Sequence, residues 1–195
     1  MAFLRNVGFF EPEPVLERGP VVLRPPRMAD YENWAQLRQE SRKFLTPWEP
    51  TWPADDLTRS GFRCRVKRYV RDMREDAGFA IFLFKASTGE LAGGLTLSNI
   101  RRGAAQTAAL GYWIGLPFAR QGMMSDAVRA VLPFGFDSLR LHRIEAACLP
   151  TNEPSLRLLR KSGFTEEGYA RGFLRINGQW QDHVLFAILA GDPLD

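Results

Sequence analysis

The sequence predicts one α/β domain over residues 1–195, built on a mixed β-sheet with flanking helices. An aromatic, β-prone run at 107–114 breaks at Pro117 and leads through a glycine turn into a helical pattern. A second strand at 143–149 is followed by a helix with a capping signature, and Asn177-Gly178 gives the strongest short hairpin signal in the chain. With 195 residues, 45% of them hydrophobic, the chain can bury one substantial core.

The N-terminal third is predicted to contain one strand, two helices and a loop. The strand falls at 21–25 and the first helix at 28–41. The loop at 44–53 contains three prolines, which predict irregular structure because proline fixes φ and lacks an N–H. A long amphipathic helix is predicted at 55–76. Its apolar side carries Phe62, Val66, Tyr69, Val70 and Met73, and its basic side carries Arg63, Lys67, Arg71 and Arg74.

The remaining two thirds supply six strands and two helices. The strands are predicted at 79–85, 91–97, about 107–114, 143–149, 167–176 and 180–189. One helix is predicted at 123–138 and the other from Asn152 to Lys161. The complete order is therefore β-α-α-β-β-β-α-β-α-β-β.

Composition excludes several classes of protein. No run approaches the roughly 20 apolar residues that span a bilayer, and residues 1–10 lack a signal-peptide layout, so we expect a cytoplasmic protein with no membrane partner. Cys64 and Cys148 lack metal-ligand spacing, and we expect two buried thiols and no bound metal. The net charge of +4, carried mostly by arginine, fits a nucleotide ligand or an RNA-rich neighbourhood and equally a GC-rich coding sequence.

The connection from 111 to 128 is the most informative segment. Gly122 lets the backbone approach a ligand closely, and the start of the following helix leaves several N–H groups unpaired at the positive end of the helix dipole. Such a turn can hold a pyrophosphate. An ordinary strand-to-helix connection is the alternative for this segment taken alone.

The pattern over residues 106–164 resembles the acetyl-CoA-binding core of the GNAT N-acetyltransferases. A strand, a Gly-containing loop, a helix, a second strand, the Asn152-x-x-Ser155 helix and Gly163-Phe164 follow one another as in that family. The resemblance implies a mixed, mostly antiparallel sheet that splays between its fourth and fifth strands, with acetyl-CoA in the cleft. It assigns to the cofactor Trp113, Ile114, Leu116, Ala119, Arg120, Gln121, Gly122, Met123, Met124, Ser125, Asn152 and Ser155.

Two of those assignments depart from the pattern of many family members. Ala119 and Met124 stand where others carry Arg or Gln and a small residue. Contacts to a pyrophosphate come mostly from backbone N–H groups, so side-chain variation is tolerable. Met123 and Met124 fit core positions equally well.

The Asn152-x-x-Ser155 motif predicts both a cap and a chemical role. As structure, Asn152 accepts hydrogen bonds from the first N–H groups of the helix, worth about 1 kcal/mol. As chemistry, the resemblance implies that Ser155 lies near the thioester sulfur, where its hydroxyl can protonate the departing thiolate. Many GNAT enzymes use a tyrosine four residues further along, but here that residue is Leu159, so Ser155 or a water must serve.

The general base is the hardest residue to identify, because the strand at 107–113 carries no carboxylate. The candidates are Glu49 in the loop at 44–53, which we call the Pro-Trp loop, and Glu145 on the fifth predicted strand, with Asp182 as a lesser one. Surface solvation is the alternative for each. At pH 7 roughly a tenth of an α-amine with a pKa near 8 is neutral, against a few lysines in ten thousand. A weakly catalysed site therefore suits protein N-termini.

Further motifs resemble the RimJ branch of ribosomal-protein alanine N-acetyltransferases from about residue 20 onward. They include Phe44-Leu-x-Pro-Trp-Glu-Pro50, Leu110-Gly-Tyr-x-Ile-Gly115, Glu167-Gly-Tyr-Ala170 and Asn177-Gly-Gln-Trp-x-Asp-His-Val184. The resemblance implies acetyl transfer from acetyl-CoA to the N-terminal amine of a small-subunit ribosomal protein, and we expect one that begins with Ala or another small residue. We expect direct transfer in a ternary complex, because neither cysteine falls in the expected catalytic segments to form a covalent acetyl intermediate. Lysine, aminoglycoside or polyamine acceptors remain alternatives.

A different class of function is a CoA-binding factor for ribosome assembly or RNA. Its support is the basic side of the helix predicted at 55–76, which would guide the protein toward ribosomal RNA. A solvated helix face is the alternative, and the sequence contains no aromatic-plus-basic RNA-recognition motif.

Overall fold

The computed structural model describes residues 15–194. Residues 1–10, for which the sequence predicts no signal peptide, lie outside this range. Among the described residues, no helix is both long and apolar enough to cross a membrane.

One eight-stranded sheet organises the chain, with the strand order β1-β2-β3-β4-β5-β6-β8-β7. All neighbours are antiparallel except β5 and β6. The mixed, mostly antiparallel fold expected from the sequence is confirmed. The strands are β1 (Leu16–Arg18), β2 (Val21–Arg24), β3 (Gly78–Lys85), β4 (Leu91–Arg101), β5 (Thr107–Ile114), β6 (Arg143–Cys148), β7 (Thr165–Ile176) and β8 (Gln179–Leu189).

The helices differ from the predictions mainly at their ends. Thr58 caps the long helix, its side chain accepting from Gly61 N, so the helix starts four residues later than residue 55. Two short helical segments also occupy the first half of the proline-rich loop, because Pro47 lies in a first turn, where no N–H is required. The α-helices are α1 (Tyr31–Glu40), α2 (Arg42–Leu45), α3 (Arg59–Arg74), α4 (Met123–Pro133) and α5 (Glu153–Lys161).

The sheet splits between β5 and β6. These two strands pair in parallel only over Thr107–Ala109 and Arg143–Glu145, and β5 continues for five residues beyond the last pair. Because the short strand β1 precedes the first predicted strand, the split expected between the fourth and fifth strands lies here between β5 and β6. The far end of β5 therefore has one open edge.

Two apolar layers cover the two faces of the sheet. One layer packs Met123, Val128 and Leu159 of α4 and α5 against Ile144 and its neighbours. The other packs Trp34, Leu37 and Phe62 of α1 and α3 against β3 and β4. Cys148 is buried as expected, but Cys64 is exposed, because it lies two residues from Phe62 and thus points away from the buried side of α3.

The C-terminal hairpin forms as predicted. Asn177 and Gly178 have φ values of 44° and 81°, the left-handed conformations that a two-residue hairpin turn needs. Asn177 N donates to Glu49 O at 2.9 Å, so the hairpin tip docks on the loop that follows α2.

Candidate active site

The open edge of β5 presents unpaired backbone groups. Gly115 N donates to Ala92 O of β4 at 2.8 Å. Since successive residues of a strand point their N–H groups to opposite edges, the N–H groups of Tyr112 and Ile114 face the split. An extended ligand can pair with this edge as an added strand would.

A short loop connects β5 to α4 and is held by two side-chain hydrogen bonds. Leu116 N donates to Ser41 Oγ at 2.9 Å, and Gln121 Nε2 donates to Pro117 O at 2.7 Å. Arg120 and Gly122 have φ values of 62° and 80°. The left-handed conformations turn the chain so that consecutive N–H groups converge.

Those converging N–H groups have no partners among the residues that the structure describes. From Arg120 to Ser125, no amide donates a hydrogen bond within residues 15–194. Ser125 Oγ is buried and also unpartnered within that range. Because α4 begins at Met123, the positive end of its dipole points at the same place. The arrangement suits a phosphate or pyrophosphate group.

Some predicted cofactor residues can contribute only through the backbone. The side chains of Met123 and Met124 are buried in the core, as the alternative interpretation allowed. The Trp113 ring lies on the other side of the sheet, with the Arg38 guanidinium 5.0 Å from its centre. Leu116 N donates to Ser41 Oγ and Leu116 O accepts from Ala119 N at 3.2 Å, so the exposed side chain of Leu116 is the part left to contact a ligand.

Asn152 and Ser155 form the expected cap. Asn152 Oδ1 accepts from Ser155 N at 3.2 Å, and α5 follows directly. Ser155 Oγ lies 2.5 Å from the hydroxyl oxygen of Tyr112, across the split in the sheet. Burial raises the pKa of Tyr112, so its phenol remains protonated at neutral pH.

Cys148 also adjoins Ser155. Burial raises the pKa of the Cys148 thiol to about 11, and the nearby Ser155 side chain offsets only part of that shift. Cys148 falls outside the segments expected to be catalytic, but the end of β6 runs beside the first turn of α5 and brings the thiol close to Ser155. At pH 7 a thiol with this pKa is ionised in only about one molecule in ten thousand.

A cavity of about 320 Å³ opens on the opposite face of the sheet. Its floor is formed by Thr96 and Gly111, and no atom lies within 4 Å of where a Gly111 Cβ would stand. Tyr112 lines this cavity and also contacts Ser155, so it connects the cavity to the split. The remaining lining residues come from α1, α3, β3, β5, the Pro-Trp loop and the turn that precedes α3: Trp34, Arg38, Glu49, Pro50, Thr51, Trp52, Pro53, Asp56, Arg65, Tyr69, Phe82 and Trp113.

Glu49 lies at this cavity with both carboxylate oxygens engaged. Arg38 donates to Oε1 and Oε2 at 2.7 Å each, and Trp52 Nε1 donates to Oε2 at 2.7 Å. The Arg38 guanidinium also stacks on the Trp52 ring, 4.0 Å from its centre. These contacts fix the orientation of Glu49, one of the predicted catalytic carboxylates.

The other two candidate carboxylates do not line the cavity. Glu145 pairs with Arg143 at 2.9 Å and with Arg101 at 3.4 Å, beside the last β5–β6 pair. Asp182 accepts from Gly172 N at 2.7 Å and from the Tyr169 hydroxyl at 2.9 Å. The hydrogen bond from Gly172 N is the main cause of the lowered pKa of Asp182. Through the same bond, Asp182 orders the bulge in β7.

The basic residues predicted on one side of α3 are exposed. Lys67, Arg71 and Arg74 border a shallow groove along the helix, and Arg63 lies on the same solvent side. Arg71 is partly neutralised by Asp72 at 3.2 Å and Glu75 at 4.0 Å.

Sequence reasoning missed Tyr112 and the charged lining of the cavity. Tyr112 belongs to the motif Leu110-Gly-Tyr-x-Ile-Gly115, but its distance from Ser155 depends on how β5 and α5 pack in three dimensions. The Arg38–Glu49 pair joins α1 to the loop that follows α2. Arginine is rarely buried, so the pattern of apolar and polar residues along α1 does not predict that Arg38 is buried.

Comparison with known proteins identifies similar sequences. A family model described as an acetyltransferase (GNAT) domain matches residues 21–165. The Bacillus subtilis (strain 168) protein YjcK, described as a probable N-acetyltransferase, is 38% identical over 91% of this chain and 98% of its own length. The [ribosomal protein uS5]-alanine N-acetyltransferase of Escherichia coli (strain K12) is 36% identical over 85% of this chain and 82% of its own length.

A solved structure matches closely as well. Mycobacterium smegmatis RimJ in complex with CoA-disulfide superposes with a TM-score of 0.84. It is 33% identical, and the match covers 91% of this chain and 87% of the RimJ chain.

Proposed function

The chain belongs to the GNAT acetyltransferase family, and from that premise we propose that it acetylates the N-terminal α-amine of a ribosomal protein. The acceptor we propose is a small-subunit protein beginning with Ala or another small residue, modified in the cytoplasm. The single observation that carries this proposal is the 36% identity to the uS5-alanine N-acetyltransferase over most of both chains.

The residues beside β5 and α4 fit acetyl-CoA. We assign the pantetheine arm to the open edge beside Trp113, Ile114 and Leu116, where the Tyr112 and Ile114 N–H groups face the split, and the pyrophosphate to the unpartnered amides from Arg120 to Ser125. The unpartnered hydroxyl of Ser125 supports the same assignment. When bound, acetyl-CoA supplies an acetyl group activated as a thioester.

Two parts of the chain would assist the transfer. The Ile114 N–H faces the split and can stabilise negative charge that develops on a carbonyl oxygen, a role worth roughly 3 kcal/mol where such donors have been removed. Ser155 Oγ can donate its proton to a departing thiolate while it takes up the proton of the Tyr112 phenol, so the two hydroxyls form a proton relay. The proton that the attacking amine loses as the amide bond forms restores this relay. Asn152 holds this end of α5 in place.

Direct attack by the amine in a ternary complex is the mechanism we propose. The raised pKa of Cys148 keeps its thiol protonated, and a thiol is a much weaker nucleophile than a thiolate. Of the predicted bases, Glu49 is the one at the cavity. Both its carboxylate oxygens accept hydrogen bonds from Arg38, so Glu49 is better suited to holding Arg38 in place than to removing a proton from the amine. An α-amine needs little help, since roughly a tenth of it is neutral at pH 7.

Steady-state kinetics test the proposal. The protein should acetylate a short peptide with a free N-terminal Ala, and mass spectrometry should place the acetyl group on the α-amine. An N-terminally blocked version of the same peptide carrying a lysine is the control. Acetylation of the blocked peptide at an equal rate would contradict the proposal.

RNA binding is a second candidate function, supported by the exposed basic residues along α3. We rank it below acetyl transfer because acids on the same helix neutralise part of that charge. It would act beside catalysis, as a contact to ribosomal RNA.

A further inference from the structure

The cavity on the α1/α3 face contains buried polar atoms that have no partner. Arg38 Nε, Arg65 Nε and Asp56 Oδ2 make no hydrogen bond within the described residues, and all three residues line the cavity. The side chains of Arg38 and Asp56 are only 8% and 5% exposed. A buried polar atom left unpaired costs about 1–3 kcal/mol, so these atoms point to a ligand that pairs with them.

The unpartnered atoms specify what such a ligand must offer. Each arginine Nε has an N–H to donate, and Asp56 Oδ2 can only accept. The ligand must therefore present both a hydrogen-bond acceptor and an N–H donor within a space of about 320 Å³. Only one carboxylate oxygen of Asp56 is available to a ligand. Oδ1 already accepts a hydrogen bond from Arg65 Nη2, whereas Oδ2 is 4.0 Å from Arg38 Nη2, too far for a hydrogen bond.

The charges around the cavity balance. Arg38 and Arg65 face Glu49 and Asp56 in two ion pairs. A polyamine or aminoglycoside needs an excess of negative charge, which these pairs do not provide. A balanced site accepts an amine in its neutral, reactive form without a large electrostatic preference for the ammonium ion.

We propose that this cavity recognises the first residue of an acceptor peptide through both its α-amine and its first carbonyl. The amine N–H donates to Asp56 Oδ2, and the carbonyl oxygen accepts from Nε of Arg65 or Arg38. The inference rests on the proposed function and deepens it. A lysine side chain carries no carbonyl next to its amine, so it satisfies only half of the site.

Kinetics with matched variants test the role of Asp56. Asp56→Asn should raise the KM for an N-terminal Ala peptide about tenfold or more, because a hydrogen bond to a charged group is lost, while the KM for acetyl-CoA stays unchanged. Asp55→Asn is the control, since the neighbouring Asp55 is exposed and does not line the cavity. An unchanged peptide KM in folded Asp56→Asn would overturn the proposal.

A second arm uses the wild-type protein and tests the carbonyl. An analogue whose first peptide bond is replaced by an (E)-alkene keeps the amine and the shape but lacks the carbonyl. We expect its kcat/KM to be about tenfold lower or more at a pH where both amines are neutral. Equal kcat/KM for peptide and analogue would overturn the proposal even if Asp56→Asn does not fold. If the wild type acetylates no peptide α-amine at all, the proposed function itself fails.

Discussion

The hydroxyl oxygen of Tyr112 lies 2.5 Å from Ser155 Oγ, so a side chain of β5 reaches the first turn of α5 across the split in the sheet. Leu159 stands where many relatives are expected to carry a tyrosine, and Tyr112 brings a phenol to the same helix from a different element. The contact lies beside the proposed cofactor cleft, and Tyr112 also lines the cavity on the α1/α3 face.

Removing either hydroxyl should slow the chemical step. Ser155→Ala should lower kcat about 100-fold and Tyr112→Phe about tenfold, with the KM for acetyl-CoA nearly unchanged, because the loss is one of proton donation. The double variant should be no slower than Ser155→Ala, since the two groups act in series. Tyr169→Phe, which alters an exposed tyrosine bonded to Asp182, is the control. Multiplicative losses in the double variant would argue against a relay.

Replacing Gly122 should weaken cofactor binding. Gly122 has a φ of 80°, and a Cβ there would project into open space where the pyrophosphate is proposed to lie. Calorimetry should record at least a tenfold loss of CoA affinity for Gly122→Val, as a side chain blocks close backbone approach. Gly103→Val is the matched control, with a φ of 65° and equally open surroundings in the β4–β5 turn. Equal affinity in both variants would reject this site.

The two cysteines should differ in reactivity. Iodoacetamide at pH 8 should modify the exposed Cys64 rapidly and Cys148 slowly, because burial raises the pKa of Cys148 to about 11 and leaves very little thiolate. Cys148→Ala should keep most of the transferase activity. Trapping of acetyl-Cys148 with ping-pong kinetics would contradict direct transfer.

The basic side of α3 can be tested for RNA binding independently of acetyl transfer. If it contacts RNA, affinity for ribosomal RNA should fall steeply with salt, since bound phosphates release counterions. Changing Arg63, Lys67 and Arg71 to Glu should abolish that binding and leave acetylation of a free peptide intact. Salt-independent binding, or loss of peptide acetylation in the same variant, would remove the RNA role.

Local signals in the sequence predicted most of the fold. The Asn177-Gly178 turn and the Asn152 cap depend on a few adjacent residues, and both form as expected. The predicted start of α3 at residue 55 was four residues too early. Asp55, Asp56 and Thr58 are all residue types that cap helices, and the helix begins after Thr58 because the Thr58 side chain accepts from Gly61 N.

The sequence predicted the parts of the site that are formed by one continuous segment of chain. The turn through Gly122 into α4 is contained in one segment, whereas the Tyr112–Ser155 contact joins residues 43 positions apart. The Arg38–Glu49 pair and the partners of Asp56 likewise depend on how α1, α3 and the Pro-Trp loop pack together. Sequence alone could name Glu49 as a candidate but could not reveal that both its oxygens are engaged.

The central claim is acetyl transfer to a ribosomal-protein N-terminus, and one measurement addresses it most directly. The protein is incubated with isotopically labelled acetyl-CoA and unacetylated ribosomal proteins, and the label is located by mass spectrometry. We predict label on the α-amine of a small-subunit protein that begins with Ala or another small residue. Label confined to internal lysines would contradict the account.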